Sequence, residues 1–210
     1  MPGQFITFEG GEGTGKSSHA RDLAEALRKK ERNVVLTREP GGSPGAEDIR
    51  ALLVTGAAGR WSATAETLLN YAAREAHLRE TIRPALARGD LVLCDRFMDS
   101  TRAYQGSAGG ADMELIETLE RRIVGATRPE LTLILDVDPE LGLTRAKGRG
   151  ASTEDRFEKK GLEFHRKLRQ SFLDIAARDS RRCRVIDSSR PYEAVAEDIW
   201  RLVAPLAGVA

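Results

Sequence analysis

"GGEGTGKSS", residues 10–18, fits the pattern G-x-x-x-x-G-K-S from Gly10 to Ser17. It follows a short apolar run, "QFITFE" (4–9), and opens a stretch of helical period, "SSHARDLAEALRKK" (17–30). A strand that feeds a glycine loop and then a helix is the context in which this motif holds phosphate. The glycines let successive backbone N–H groups turn inward, and the helix start adds the positive end of its dipole. Lys16 then reaches the outer phosphates, and the Ser17 hydroxyl is placed to meet Mg²⁺. Gly10, Gly11, Glu12, Gly13, Thr14, Gly15, Lys16, Ser17 and Ser18 are therefore the candidate residues for a nucleotide polyphosphate. Glu12 is the anomaly, a carboxylate inside a cradle for anions.

Working outward, four more runs are brief, rich in β-branched residues and bounded by turn formers: 33–38, 91–95, 131–137 and 184–188. Helical periodicity fills 17–30, about 62–88, 112–124, 158–179 and about 191–206. Alternating strands and helices, with strands apolar on both sides, predict an α/β fold: a five-stranded parallel sheet with helices on both faces. Ligands in such sheets sit beyond the carboxyl ends of the strands. At 210 residues, with no repeat, low-complexity tract or linker, a single domain over 1–210 is expected.

Thirty-three Lys and Arg against 32 Asp and Glu leave no global field to draw the chain onto nucleic acid or a charged membrane. The longest apolar run, "LTLILDV", is too short to span a bilayer, and the first residues lack the pattern of a secretory signal. A cytoplasmic protein is expected, with Cys94 and Cys183 as buried free thiols.

The guanine signature N-K-x-D and the switch D-x-x-G are both missing from the sequence, and the chain is short for a motor or helicase, which favours a small kinase. Arginines gather near the predicted strand ends: Arg38, Arg50 and Arg96. Guanidinium forks match phosphate geometry, so their convergence predicts an acceptor that is itself a phosphate. Such an acceptor is mostly dianionic near neutral pH and needs no general base. His19, His77 and His165 fall singly on helical stretches and read as packing or surface residues.

"FEGGEGTGKSS" (8–18), "TREPGG" (37–42), "LLNYAAR" (68–74), "DRFMDSTRAYQG" (95–106) and "LDVDPELGLTRAKGRG" (135–150) together resemble the thymidylate kinases. The resemblance implies the P-loop nucleoside monophosphate kinase fold, Mg²⁺, transfer of the ATP γ-phosphoryl to dTMP, and a homodimer. Its acceptor region falls at about 38–75 and 95–106. Arg38, Arg50 and Arg96 would hold the dTMP phosphate, while Asp95 would position Mg²⁺ together with Ser17. Arg74, Thr101 and Gln105 would address the polar edge of thymine, and Tyr104 would press on the 2′ face of the sugar. Glu12 would turn across the cleft to the deoxyribose 3′-hydroxyl.

One position departs from the pattern: Asn70 stands where the family usually has a phenylalanine that stacks on thymine. Either the Asn70 amide contacts the base, or another ring, Phe97 first, closes the pocket.

The charged, glycine-containing segment 145–158 reads as a lid, about 146–158, able to exclude water from the phosphates. The phosphate loop has no arginine, so the resemblance implies the version in which the lid supplies one, Arg149 first and Arg156 second. Lys16, Arg96, Glu12 and these two arginines form the expected catalytic set, with Arg145 alongside the adenine near "DSSRP" (187–191). The rival readings are a kinase of another monophosphate or small metabolite, and an ATP-binding regulatory module without transfer.

Overall fold

The computed structural model describes residues 3–57, 59–148 and 156–209. Five strands, β1 (Gln4–Glu9), β2 (Val34–Arg38), β3 (Leu91–Asp95), β4 (Leu131–Asp136) and β5 (Cys183–Asp187), form one sheet. Their order is β2-β3-β1-β4-β5 and every pairing is parallel. All five lie within a residue of their sequence-predicted bounds.

The period-two alternation of β1 divides the core. Ile6 and Phe8 face the layer formed by α1 (Lys16–Lys29) and α9 (Tyr192–Ala207), against Leu23, Leu27, Ile199 and Val203. Phe5 faces the opposite layer, with Tyr71, Leu78, Ile82 and Phe97. That layer contains α3 (Ala63–His77), a π-helical turn (Leu78–Ile82) and α4 (Arg83–Ala87). Next come α6 (Met113–Leu119), a π-helical turn (Glu120–Val124) and α8 (Leu162–Arg178). Thr7, on the same strand face as Phe5, hydrogen-bonds Thr132 side chain to side chain at 2.8 Å, so this half of the core carries a polar seam.

Three helical segments lie where the sequence pattern marks none. α2 (Pro44–Val54) follows Ser43 with Pro at its start and Glu47 in its first turn. α5 (Met98–Thr101) runs into a π-helical turn (Arg102–Ser107). α7 (Pro139–Lys147) starts from Asp138, whose side chain accepts from the Glu140 N–H. α5 and α7 are short, which weakens apolar periodicity, whereas α2 ends on the apolar group Leu52, Leu53 and Val54; start signals remain in α2 and α7. The predicted helix 158–179 begins later, at Leu162, because Arg156–Lys160 forms a turn.

The chain goes from β1 outward to β2, returns through β3 beside β1, then crosses to β4 on the other side. β1 is thus the switch point, and its carboxyl end opens into the phosphate loop. α7 backs onto that loop through two glycines. A β-carbon on Gly13 would lie 1.9 Å from the Gly142 carbonyl oxygen, and one on Gly142 would lie 2.5 Å from the Glu12 carbonyl oxygen. Gly142→Ala is expected to cost about 1–3 kcal/mol of stability through this overpacking. Gly148→Ala, whose β-carbon meets only ordinary contacts at 3.5 Å, should be close to neutral in the same urea titration.

Candidate active site

α1 starts at Gly15, in a left-handed conformation (φ 87°), with no side-chain cap and no acidic residue in its first turn. Its leading N–H groups and its dipole are left for a ligand. Lys16 is buried and folds over the loop, its Nζ donating to the Gly11 carbonyl at 2.6 Å and to Thr14 Oγ1 at 3.2 Å. Burial, reinforced by Arg96, pulls the ammonium down to about 8 against the opposing pull of Asp95, Glu12 and Glu9.

The Ser17 hydroxyl donates to Asp95 Oδ2, and Asp95 Oδ1 is buried with no hydrogen-bond partner among the described residues. A hydroxyl and an unsatisfied carboxylate oxygen at a phosphate loop suit Mg²⁺, which takes few protein ligands and keeps water and phosphate for the rest. Ser17 and Asp95, 78 residues apart in sequence, therefore meet at the phosphate loop.

Glu12 points away from the loop. Its Oε1 accepts from Arg96 Nη2 at 3.1 Å and from the Tyr104 hydroxyl at 2.6 Å. Burial alone would raise the carboxyl, but Arg96, Lys16 and the Tyr104 hydroxyl outweigh it and hold the group at about 2. Arg96 also donates to the Gly10 carbonyl at 2.8 Å and to Ser100 Oγ at 3.2 Å, with its guanidinium over the Tyr104 ring at 4.8 Å. Its backbone lies at φ 70°, a left-handed conformation that costs a non-glycine residue of order 1–3 kcal/mol.

The acceptor side is built on buried Glu39, from "TREPGG". Glu39 Oε2 accepts from Arg74 Nε at 2.8 Å, and Oε1 meets His77 Nδ1 at 3.0 Å. Arg74 donates further to the Phe97 carbonyl and Thr101 Oγ1, both at 3.0 Å, while its Nη1 is buried without a partner among the described residues. His77 is thus a packing residue with a task, since it orients the carboxylate that orients Arg74. Gln105 donates to Glu66 Oε2 at 2.9 Å. Arg50 donates to the Pro40 carbonyl at 2.7 Å, and Arg38 pairs with Glu47 at 3.0 Å.

Phosphate loop and acceptor residues line one cleft of about 360 Å³, from Lys16 and Asp95 to Arg74 and Gln105. Asn70 lines it too, but its Nδ2 donates to the Glu66 carbonyl of its own helix at 2.8 Å. Phe97 lines it with a ring that is 0% exposed, edge-on to Phe5 at 4.9 Å and under the Arg74 guanidinium.

The lid residues fare differently. Arg149 lies outside the described residues. Arg156, the second lid candidate, is 0% exposed and turned into α2 and α3: it donates to the Leu53 and Ala57 carbonyls and pairs with Glu66 at 2.5 Å. It is not among the residues that line the cleft, because a buried guanidinium follows its hydrogen-bond partners. Arg145 Nη1 donates to the Ser188 carbonyl at 2.8 Å, which joins α7 to the segment after β5 where the adenine is expected. Cys94 and Cys183 are both free and buried.

Sequence reasoning passed over Glu9, Glu39, Glu66 and Phe157. Glu9 closes β1, fully buried, and accepts from the Phe97 N–H and Ser100 Oγ; burial and the neighbouring Asp99 raise its carboxyl above the ordinary range. Glu39 sits inside a quoted motif and Glu66 lies four residues before Asn70, signals that were present but ambiguous.

A phosphate loop at the switch point of a parallel sheet, facing arginines across a shared cleft, defines a P-loop nucleotide-binding protein with room for a second anion. The thymidylate kinase family profile matches residues 8–199. The thymidylate kinase of Caulobacter vibrioides is 55% identical over 99% of both chains. That of Rhodopseudomonas palustris strain TIE-1 is 52% identical over 97% of this chain and 89% of its own. Among solved structures, thymidylate kinase from Ehrlichia chaffeensis aligns with a TM-score of 0.79 at 34% identity, covering 97% of this chain and 99% of that one. The chain belongs to the thymidylate kinase family.

The lowered ammonium of Lys16 has a measurable consequence. A polyphosphate beside it favours the charged form, so above about pH 8 binding must take up a proton and affinity falls as pH rises. Calorimetry in two buffers of different ionisation enthalpy should show proton uptake near zero at about pH 6.5 and growing toward one by about pH 9.5. A nucleotide affinity unchanged over that range would contradict the assignment.

Proposed function

We propose that this chain transfers the γ-phosphoryl group of ATP to dTMP, giving ADP and dTDP. The observation that carries the reading is the single cleft with a phosphate loop at one end and the Glu39–Arg74–Thr101 group at the other. Family membership supplies the chemistry, and the cleft supplies a place for both substrates.

ATP phosphates lie on Gly10 to Ser18, with Lys16 turned from the Gly11 carbonyl to the outer phosphates. Ser17 and Asp95 would hold Mg²⁺, which would supply positive charge to the phosphate oxygens. Arg38, Arg50 and Arg96 receive the acceptor phosphate; Arg38 and Arg50 turn from Glu47 and Pro40 to do so. The acceptor needs no base, because its phosphate is already a dianion at neutral pH. Arg74 offers its unpartnered Nη1 to the base edge, together with Thr101 and Gln105. Tyr104, fixed by its bond to Glu12, forms the wall against a 2′-hydroxyl.

Glu12 takes the sugar 3′-hydroxyl, and its contacts with Arg96 and Tyr104 favour that reading over a role on the ATP side. With Arg156 buried, the positive charge for the transferring group is assigned to Arg149. Arg145, bound to the Ser188 carbonyl, flanks the adenine. A homodimer follows from the resemblance alone; a cytoplasmic location, a single domain and a lid at 146–158 rest on the sequence reading.

A coupled assay of ADP release with dTMP, dUMP, dCMP, dGMP and no acceptor tests the reading. Turnover with dTMP well above the rest is expected; ATP binding without acceptor-dependent turnover would leave only a nucleotide-binding module. In the same assay Glu12→Gln should raise the dTMP KM about ten- to a hundredfold, the equivalent of one charge-assisted hydrogen bond, with the ATP KM within about twofold. A defect confined to ATP would overturn the role of Glu12.

A further inference from the structure

Three aromatic side chains line the cleft among the described residues: Phe97, Tyr104 and Phe157. Phe97 is 0% exposed and lies under Arg74, and Tyr104 is 5% exposed with its hydroxyl committed to Glu12. Phe157 is half-buried and is the most exposed of the three, with the Arg156 guanidinium 5.2 Å from its ring centre. It stands edge-to-face against Tyr104, ring centroids 5.5 Å apart and planes at 89°. Asn70 also lines the cleft but spends its amide on its own helix, so α3 offers neither a ring nor that donor at this point.

Phe157 is held in place from both sides in sequence. Arg156 is fully buried on the Leu53 and Ala57 carbonyls and on Glu66 Oε1. Lys160 Nζ lies 3.8 Å from the same Glu66 oxygen and 5.2 Å from the Phe157 ring centre. Glu66 itself is 1% exposed, and its other oxygen accepts from Gln105. One buried carboxylate thus ties the Arg156–Lys160 turn to a residue of the acceptor wall. Breaking such a buried pair leaves an uncompensated charge, so the placement of the turn is strongly specified.

We propose that Phe157 supplies the aromatic surface for the acceptor's pyrimidine base, with Glu66 as the positioning residue that holds it there. The inference rests on the proposed acceptor site and deepens it: the base is gripped by a ring from the turn before α8, where a ring on α3 was expected. Base–aromatic contacts are typically worth about 1–3 kcal/mol by alanine substitution, roughly five- to a hundredfold in affinity.

The test uses steady-state ADP release by the full chain and begins with the wild-type protein. Absence of dTMP-dependent turnover there would sink the acceptor reading itself, whereas the Phe157 variants probe only the grip on the base. Phe157→Ala should raise the dTMP KM at least about fivefold and leave the ATP KM within about twofold. Phe157→Leu keeps apolar bulk against Tyr104 but removes the ring face, and should still raise the dTMP KM severalfold. Asn70→Phe combined with Phe157→Ala should recover most of the loss, because a ring is returned to the cleft from α3. A wild-type dTMP KM in Phe157→Leu would show that Phe157 merely packs, and would overturn the proposal. So would equal rises in both substrates' KM in the two Phe157 variants.

Discussion

Arg96 is the residue on which the site's geometry depends. It follows the last residue of β3 in a left-handed backbone conformation, and from there one guanidinium reaches the Gly10 carbonyl, Glu12 and Ser100. Those contacts fasten the phosphate loop to the segment after β3, which carries Thr101, Tyr104 and Gln105 of the proposed acceptor site. The cost of the backbone conformation is of the same order as one or two hydrogen bonds to a charged group, so the guanidinium network can sustain it. Tyr104 joins the network from the π-helical turn by bonding Glu12 under the Arg96 face. The phosphate loop and the proposed acceptor site are thereby joined by a single side chain.

Beneath this lies a chain of buried polar groups that the apolar layers enclose. Glu9 binds the Phe97 N–H and Ser100, and Asp99 pairs with Arg182, which also reaches Thr132 and so Thr7. Burial would be prohibitive for any of these alone, and is tolerable because each carboxylate oxygen finds a donor. The outcome is a rigid floor under α5, which positions Thr101. Glu39 repeats the device on the other side, fixing Arg74 and His77 with its two oxygens. The geometry of the substrate-facing residues therefore rests on carboxylates that touch no substrate in the proposed reading.

This division explains what the sequence made legible. "QFITFE" and "GGEGTGKSS" declare a strand and a phosphate loop because periodicity and glycine spacing are local properties. The meeting of Ser17 with Asp95, 78 residues apart, followed once the parallel order put both at strand ends. Buried partner choice is not local. Nothing in "EDRFE" shows that Arg156 will bury itself on Glu66, since an exposed lid arginine and a buried anchor have the same neighbours in sequence. α7 was missed for a related reason: it is short and polar, and its contact with the phosphate loop decides its placement, whereas α2 is apolar enough to have been read. Asn70 was readable as a departure, but the side chain answering it lies far along the chain and became visible only through the cleft it lines.

Glu12 shows how the local and distant parts combine. A carboxylate in a loop of inward-facing N–H groups would compete with the polyphosphate if it faced the same way. Instead Arg96, Lys16 and the Tyr104 hydroxyl overcome its desolvation, keep it ionised far below neutral pH and turn it across the cleft. Its charge in turn helps to keep Lys16 protonated against burial and the repulsion of Arg96. The two cations needed for two phosphates can thus stand close together before either phosphate arrives, because a fixed anion stands near both. Before phosphate binds, Glu12 offsets part of the repulsion between Lys16 and Arg96; a bound polyphosphate screens the same pair, so a neutral residue at position 12 is felt chiefly on the acceptor side.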